Sequence, residues 1–189
     1  TGLDAARDRI LLIAVRHPDG RVEFIEDDVE GAMIRRLAET IRAADPDVIE
    51  NHNLHGFDLP FLDARARAAG VPLQLGRLDG AGLRQRAARR GMRQAGTDRR
   101  VRLVAPGREL IDTLDAVRRY DFSVRELPGY GLKAVARHFG VAGPDRELIP
   151  GRDIARVYRT DPDRVRRYAG ADVEEVAAIA RILGGAAFA

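Results

Sequence analysis

Apolar positions along the chain change their period several times, and each change marks a predicted element. Ile10 to Val15 is a continuous apolar run. Asp19-Gly20 follows, and Arg21-Val22-Glu23-Phe24-Ile25-Glu26 then mixes apolar and polar positions. That pattern predicts two strands around a tight Asp-Gly turn. Ala32, Ile34, Leu37, Ala38 and Ile41 recur at helical spacing, so an amphipathic helix is expected over 29–44. It stops before Asp45-Pro46, because the residue ahead of a proline disfavours helical backbone. Val48-Ile49-Glu50-Asn51 reads as a short strand. Asp58 to Ala69 reads as a second helix, closed by Gly70 and Pro72.

Residues 73–107 differ in kind. Glycines at 76, 80, 82, 91, 96 and 107 punctuate a run of arginines, and apolar residues are sparse until Val101-Arg102-Leu103-Val104. The pattern predicts an exposed, basic, hairpin-type insertion. Glu109 to Asp112 reads as a strand end, and Leu114 to Tyr120 as one or two helical turns. Leu132 to Phe139 is a short helix ended by Gly140, and Asp161 caps a long final helix, Val165 to Leu183.

Composition narrows the class. With 45% hydrophobic and 32% charged residues the chain is a globular domain rather than a disordered one. No apolar run approaches the roughly 20 residues that span a bilayer. Cysteine is absent, which excludes a disulfide framework, a thiolate metal site and a cysteine nucleophile, and fits a reducing, cytoplasmic setting. The net charge of +3 hides an uneven distribution: −7 over residues 1–63, +9 over 64–106 and +1 over 107–189. An acidic block beside a basic one suggests cation binding in one place and polyanion binding in another.

Two carboxylates stand out. Val165, Ala169, Asp172, Val176, Ile179 and Leu183 fall on one helix face, so Asp172 interrupts an apolar stripe. A carboxylate there is costly unless paired, either with a buried arginine or with a cation. Tyr168, one turn earlier, points into the same space. Asp58 lies where a strand gives way to a helix, a place that faces ligands at strand ends and that also suits an N-cap. His52 and His55 lack a third ligand at metal-like spacing and read as surface or loop residues.

Together these segments resemble the 3′–5′ exonuclease domain of family B DNA polymerases, among the DEDD exonucleases of RNase H-like fold. Asn53, Phe57 and Asp58, followed by Leu59-Pro60-Phe61-Leu62, resemble the family's second motif. Tyr168-Ala-Gly-Ala-Asp172 resembles the third, in its tyrosine form. Ile111-Asp112-Thr113 and Tyr130-Gly131-Leu132-Lys133-Ala134-Val135 are similar to family sequences between them. The family more often has Ser or Thr at Gly131, so a hydroxyl that would contact single-stranded DNA is missing. The resemblance implies an α/β fold with a mixed five-stranded sheet flanked by helices, carrying the basic insertion at 73–107. It also implies hydrolysis of phosphodiester bonds at single-stranded DNA 3′ ends, or of RNA, within a polypeptide that carries a polymerase or other domain.

The same resemblance implies the roles. Asp58, Tyr168 and Asp172 are the expected catalytic residues, with Asp58 and Asp172 as ligands of two Mg²⁺ or Mn²⁺ ions. Two such ions, about 4 Å apart, activate the attacking water and stabilise the leaving oxygen, so the two carboxylates are expected within roughly 8 Å of each other. Tyr168 would position the water. Asn53 would hold the substrate's terminal region or the local loop, and Phe57 would stack on a terminal base. Leu132 and Lys133 are expected near substrate, although a helix lysine is more commonly exposed. Arg89 and Arg90 would follow the nucleic-acid backbone by charge.

One departure bears on activity. The family's first motif, Asp-x-Glu on the first strand, commonly runs on into Thr-Thr-Gly-Leu-Asp, and this chain opens Thr1-Gly2-Leu3-Asp4. Asp28/Glu30, Asp145/Glu147 and Asp172/Glu174 have the spacing but not the strand before them. The expectation is a single exonuclease-like domain, 1–189, lacking its first strand, unstable and inefficient alone. The alternative is an inactive exonuclease-like domain that binds nucleic acid or acts as a scaffold. A third reading is a generic α/β domain with chance matches.

Overall fold

The computed structural model describes residues 4–86 and 102–184. The chain begins with a hairpin, β1 (Ile13–Arg16) and β2 (Val22–Ile25), in antiparallel register. Gly20 takes φ +92 at its turn. Helix α1 (Glu30–Ala44) follows and buries Met33, Ile34, Leu37 and Ile41. Burial of each such side chain contributes about 1.5–3 kcal/mol, and these four anchor the larger core. Asp45, in the left-handed region at φ 41, ends the helix by donating its N–H to Ile41 O.

Strand β3 (Val48–Asn51) leads through a π-helical turn, Leu54–Asp58, into α2 (Leu59–Ala68). Glu30 clamps the starts of this unit. It accepts from Ile10 N at 2.6 Å and holds Arg65 of α2 through Nε at 2.9 Å and Nη2 at 2.5 Å. Burial opposes the Glu30 charge, but these donors win and keep its carboxyl below the usual range.

The basic insertion is a hairpin at its base. Strand β4 (Arg84–Arg86) pairs antiparallel with β5 (Arg102–Val104), and all of β4 is exposed. Arg89, Arg90 and Arg93 lie outside the described residues. Strand β6 (Glu109–Asp112) then pairs in parallel with β3, Asn51 opposite Asp112.

The helical half comprises α3 (Thr113–Val124), α4 (Leu132–His138), α5 (Ile154–Thr160) and α6 (Pro162–Leu183). Helix α3 runs further than the one or two turns expected, because Asp112 caps it and Val117 reaches the core shared with Val135, Ala136 and Ile179. Helix α5 was hidden by its basic composition; only Val157 is buried, against Ile149 and Val165. Asp161 caps α6 as expected, accepting from Arg164 N at 3.0 Å. Helix α6 packs on β1, α3, α4 and α5. Gly170 lets it approach β2, since a Cβ there would stand 3.3 Å from the Phe24 ring.

The strands differ from the expected single sheet in their pairing. Among the described residues they form three two-stranded ladders, β1-β2, β3-β6 and β4-β5. Hairpin β1-β2 and strand β3 are not hydrogen-bonded to each other. Between them lies a cavity of about 770 Å³, lined by Ile10 to Arg16, by Leu37 and Ile41 of α1, by Val48 to Asn51, and by α6. Residues of both β1 and β3 thus line one slot instead of pairing in one ladder.

Candidate active site

The second motif is built on a backbone that few residues tolerate. Asn53 adopts φ 63, ψ 30, a left-handed conformation that Asn accepts more readily than most. Its carbonyl receives Gly56 N at 3.1 Å and Phe57 N at 2.9 Å. A Cβ on Gly56 would overlap Asn53 Oδ1, so glycine lets the amide fold over the turn. Leu59 N donates to Leu54 O, giving the wide π-type turn that delivers Asp58.

Asp112 holds this turn from the next strand. Its Oδ1 accepts from Asn53 N at 2.8 Å and Leu114 N at 3.1 Å, and its Oδ2 from His55 N at 3.1 Å. One buried carboxylate therefore caps α3 and fixes the turn before Asp58. The sequence signal was Asp-Thr at a strand end before a helix, which marks a cap but not its second task. His55 corrects a sequence expectation: it is buried, with Leu103 N donating to its Nδ1 at 3.4 Å. His52 Nε2 bonds the Tyr130 carbonyl at 2.7 Å. Both are tied to neighbouring segments rather than left on the surface.

Asp58 is not the N-cap expected of it. It has helical backbone, φ −62 and ψ −51, and makes no capping bond, because the π turn runs directly into α2. Burial pushes its carboxyl up to about 7, and the negative charges of Asp112 and Asp172 push the same way. Its own N–H and the Asn51 side chain only partly oppose this.

Asp172 sits in the opposite field. Lys133 Nζ of α4 and Arg146 Nη2 both bond its Oδ1. Lys133 is largely enclosed rather than an exposed helix lysine, and burial lowers its pKa against the pull of Asp172. Arg146 Nε also donates to Glu175 Oε1 at 2.5 Å. The Tyr168 ring packs against both cations, 4.7 Å from Lys133 Nζ and 4.8 Å from Arg146 Cζ. Burial raises the Tyr168 hydroxyl pKa, and the Asp172 charge adds to it, so the phenol stays protonated. Arg146 and Glu175 carried no sequence signal, since nothing distinguished this arginine among 31.

The cavity gathers most of the expected site. Phe57, Asp58, Leu132, Lys133, Tyr168 and Asp172 all line it, and Asn51, which the sequence marks only as a strand residue, joins them. Phe57 also packs on Phe61, with ring centroids 5.5 Å apart. Asn53 lies outside this lining, over its own turn, while Arg89 and Arg90 fall outside the described residues. Asp58 and Asp172 offer oxygen donors suited to a hard divalent cation, and the field at Asp58 calls for positive charge. Among the described residues no group of three or more His, Cys, Asp or Glu is arranged for a metal. These two carboxylates therefore fit as part of a metal centre rather than as all of it.

Comparison with known proteins places this geometry. Residues 12–135 match the family described as DNA polymerase family B, exonuclease domain. The chain is 32% identical over 155 residues to DNA polymerase 1 of Pyrococcus abyssi, an alignment covering 81% of this chain and 18% of that one. It is 31% identical over 121 residues to the DNA polymerase delta catalytic subunit of Arabidopsis thaliana, covering 62% and 11%. The solved family B DNA polymerase of the hyperthermophilic archaeon Pyrobaculum calidifontis superimposes with TM-score 0.77 at 31% identity, over 95% of this chain and 22% of that one. The chain thus spans about a fifth or less of the length of these relatives. The superposition supports the RNase H-like fold that the motifs implied. Motif order, fold and family match agree, and the chain belongs to the exonuclease-domain family of family B DNA polymerases, which at family level are 3′–5′ exonucleases.

Proposed function

We propose that this domain removes nucleotides from 3′ ends of single-stranded DNA, using two divalent cations, within a polypeptide that also carries a polymerase or other domain. The observation that carries the reading is the convergence of Asp58, Asp172, Tyr168 and Phe57 on one cavity. Asp58 and Asp172 would hold Mg²⁺ or Mn²⁺. Held there, the ions would supply activation of the attacking water and stabilisation of the departing oxygen. The protonated Tyr168 hydroxyl bonds and orients the attacking water, with its ring packed against Lys133 and Arg146. Phe57 and Leu132 offer apolar surface to the terminal base. Water adds to phosphorus, the bond to the preceding 3′ oxygen breaks, and that oxygen takes a proton. The products are a nucleoside 5′-monophosphate and a strand one residue shorter.

The remaining acidic ligands belong, in this proposal, on a strand that fills the slot between β1 and β3. The slot supports the assignment because residues of β1 and β3 line it together with Asp58 and Asp172. Glu50 also lines the slot, and its Oε1 is buried without a partner among the described residues.

A second reading, an inactive domain that binds nucleic acid or acts as a scaffold, draws on the ion pairs of Lys133 and Arg146 that occupy Asp172. The assay that separates them uses 5′-labelled single-stranded DNA with Mg²⁺ or Mn²⁺ and the full polypeptide. Stepwise shortening that disappears in Asp58→Ala and Asp172→Ala is the expected result. DNA retention without shortening would favour the inactive reading.

A further inference from the structure

Arg146 divides one hydrogen-bonding edge between two acids. Its Nε and Nη2 point the same way and form the fork that ordinarily grips a single carboxylate with two parallel bonds. Here Nε bonds Glu175 Oε1 and Nη2 bonds Asp172 Oδ1. Glu175 Oε2 is buried and has no hydrogen-bond partner among the described residues. The rest of the guanidinium is already held, with Nη1 donating to Glu147 O at 2.7 Å and Cζ over the Tyr168 ring. Glu175 lies three residues beyond Asp172 on α6, and its side chain is only 4% exposed.

We infer that Arg146 is a resident counter-ion of Asp172 that a divalent cation displaces, and that Glu175 receives it. When a cation binds Asp172, Nη2 of Arg146 passes from Asp172 Oδ1 to Glu175 Oε2. Arg146 then grips Glu175 with both prongs, and the orphaned oxygen gains its missing bond. The guanidinium keeps its bond to Glu147 and its place over Tyr168, so the hand-off needs a small rotation rather than a rotamer change. A buried arginine that lost Asp172 with no other acid in reach would be costly, and Glu175, already bonded to its Nε one turn along, offers the free oxygen that prevents this. Glu175 is thus a positioning residue for metal entry, acting through Arg146.

This inference rests on the proposed metal role of Asp172, and the test separates the two. Mn²⁺ alone is titrated into the full polypeptide, with free Mn²⁺ read by electron paramagnetic resonance. The binding that disappears in Asp172→Ala defines the site. Arg146→Gln should bind Mn²⁺ about tenfold more tightly, since a charge-assisted bond no longer competes. Glu175→Gln should bind several-fold more weakly, because Arg146 then has no second carboxylate and stays on Asp172. The double variant should remain tighter than the unsubstituted protein, which excludes the freed Glu175 charge as the source of the gain.

Unchanged Mn²⁺ binding in Asp172→Ala would overturn the metal assignment itself. Binding that vanishes there but is not strengthened in Arg146→Gln would overturn only the hand-off. So would a Glu175→Gln weakening of equal size in the Arg146→Gln background. Thermal melts establish which variants fold. If Arg146→Gln does not, Arg146→Lys keeps the charge but not the fork and should strengthen binding by a smaller factor; unchanged or weaker binding there also overturns the hand-off.

Discussion

The turn that presents Asp58 and the helix that presents Asp172 prepare two carboxylates on one cavity in opposite ways. Around Asp58 the neighbours are Asp112, Asp172 and the amide of Asn51, and the carboxyl is held up near 7. Around Asp172 are Lys133 and Arg146, both on one oxygen. Asp58 is short of positive charge, whereas Asp172 already carries two cationic partners. The difference teaches that a shared cavity does not give its acids a shared electrostatic state. A cation entering this site relieves repulsion at one acid and must compete with internal partners at the other.

The largest expected effect is on turnover. On the proposed mechanism, Asp58→Ala and Asp172→Ala each remove a cation ligand worth several kcal/mol of transition-state stabilisation. Each should lower the rate of single-strand digestion by about 10³-fold or more, with DNA retention in a filter-binding assay largely kept. A variant that keeps near-normal digestion would remove that acid from the comparison. Tyr168→Phe removes a positioning hydroxyl and leaves both acids, so its deficit should be nearer 10²-fold in the same assay. Greater damage from Tyr168→Phe than from Asp172→Ala would reverse the ranking.

Stability should respond next. Asp112→Ala leaves the N–H groups of Asn53, His55 and Leu114 without their acceptor, at about 1–3 kcal/mol for each one left buried. Denaturant unfolding should show a drop of several kcal/mol, and Asp112→Asn a smaller one. An unchanged midpoint would mean the turn does not depend on this strand.

The electrostatic contrast also has a pH signature. Asp58 has a folded pKa above its unfolded value of 3.8, so the folded state holds its proton longer. Stability of the metal-free protein is then fully present below about pH 4 from this group and is lost as pH rises through about 7. Asp58→Asn should remove that decline, giving a higher melting temperature at pH 8 than the unsubstituted protein. Equal melting temperatures across pH 5–8 would remove the claim of unrelieved charge at Asp58.

The smallest effect concerns the insertion. Neutralising Arg89, Arg90 and Arg93 should flatten the salt dependence of DNA binding by about one unit of slope for each phosphate that is no longer neutralised. An unchanged slope would leave those charges to solvent.

Much of this was legible in the sequence, and the limits are specific. The hairpin, α1, β3, α2 and α6 follow from local periodicity, because burial on one face repeats with the period of the element. Asn53, Phe57, Asp58, Tyr168 and Asp172 could be named from the sequence because their motifs are short and fixed in spacing, and all but Asn53 line the cavity. The extent of α3 and the existence of α5 were not, since a few tertiary contacts at Val117 and Val157 stabilise helices whose composition is weakly apolar.

What the sequence determined by itself was the family, the order of most of its elements, and two candidate acids that line one cavity. What only the tertiary structure decided was the state of those acids. Asp112 acts on a turn 57 to 59 residues away, and Arg146 reaches Asp172 across 26 residues and Glu175 across 29. No local pattern encodes such pairs, because an ion pair depends on distance and burial in space, and those exist only once β1, β3, α4 and α6 have packed around one cavity.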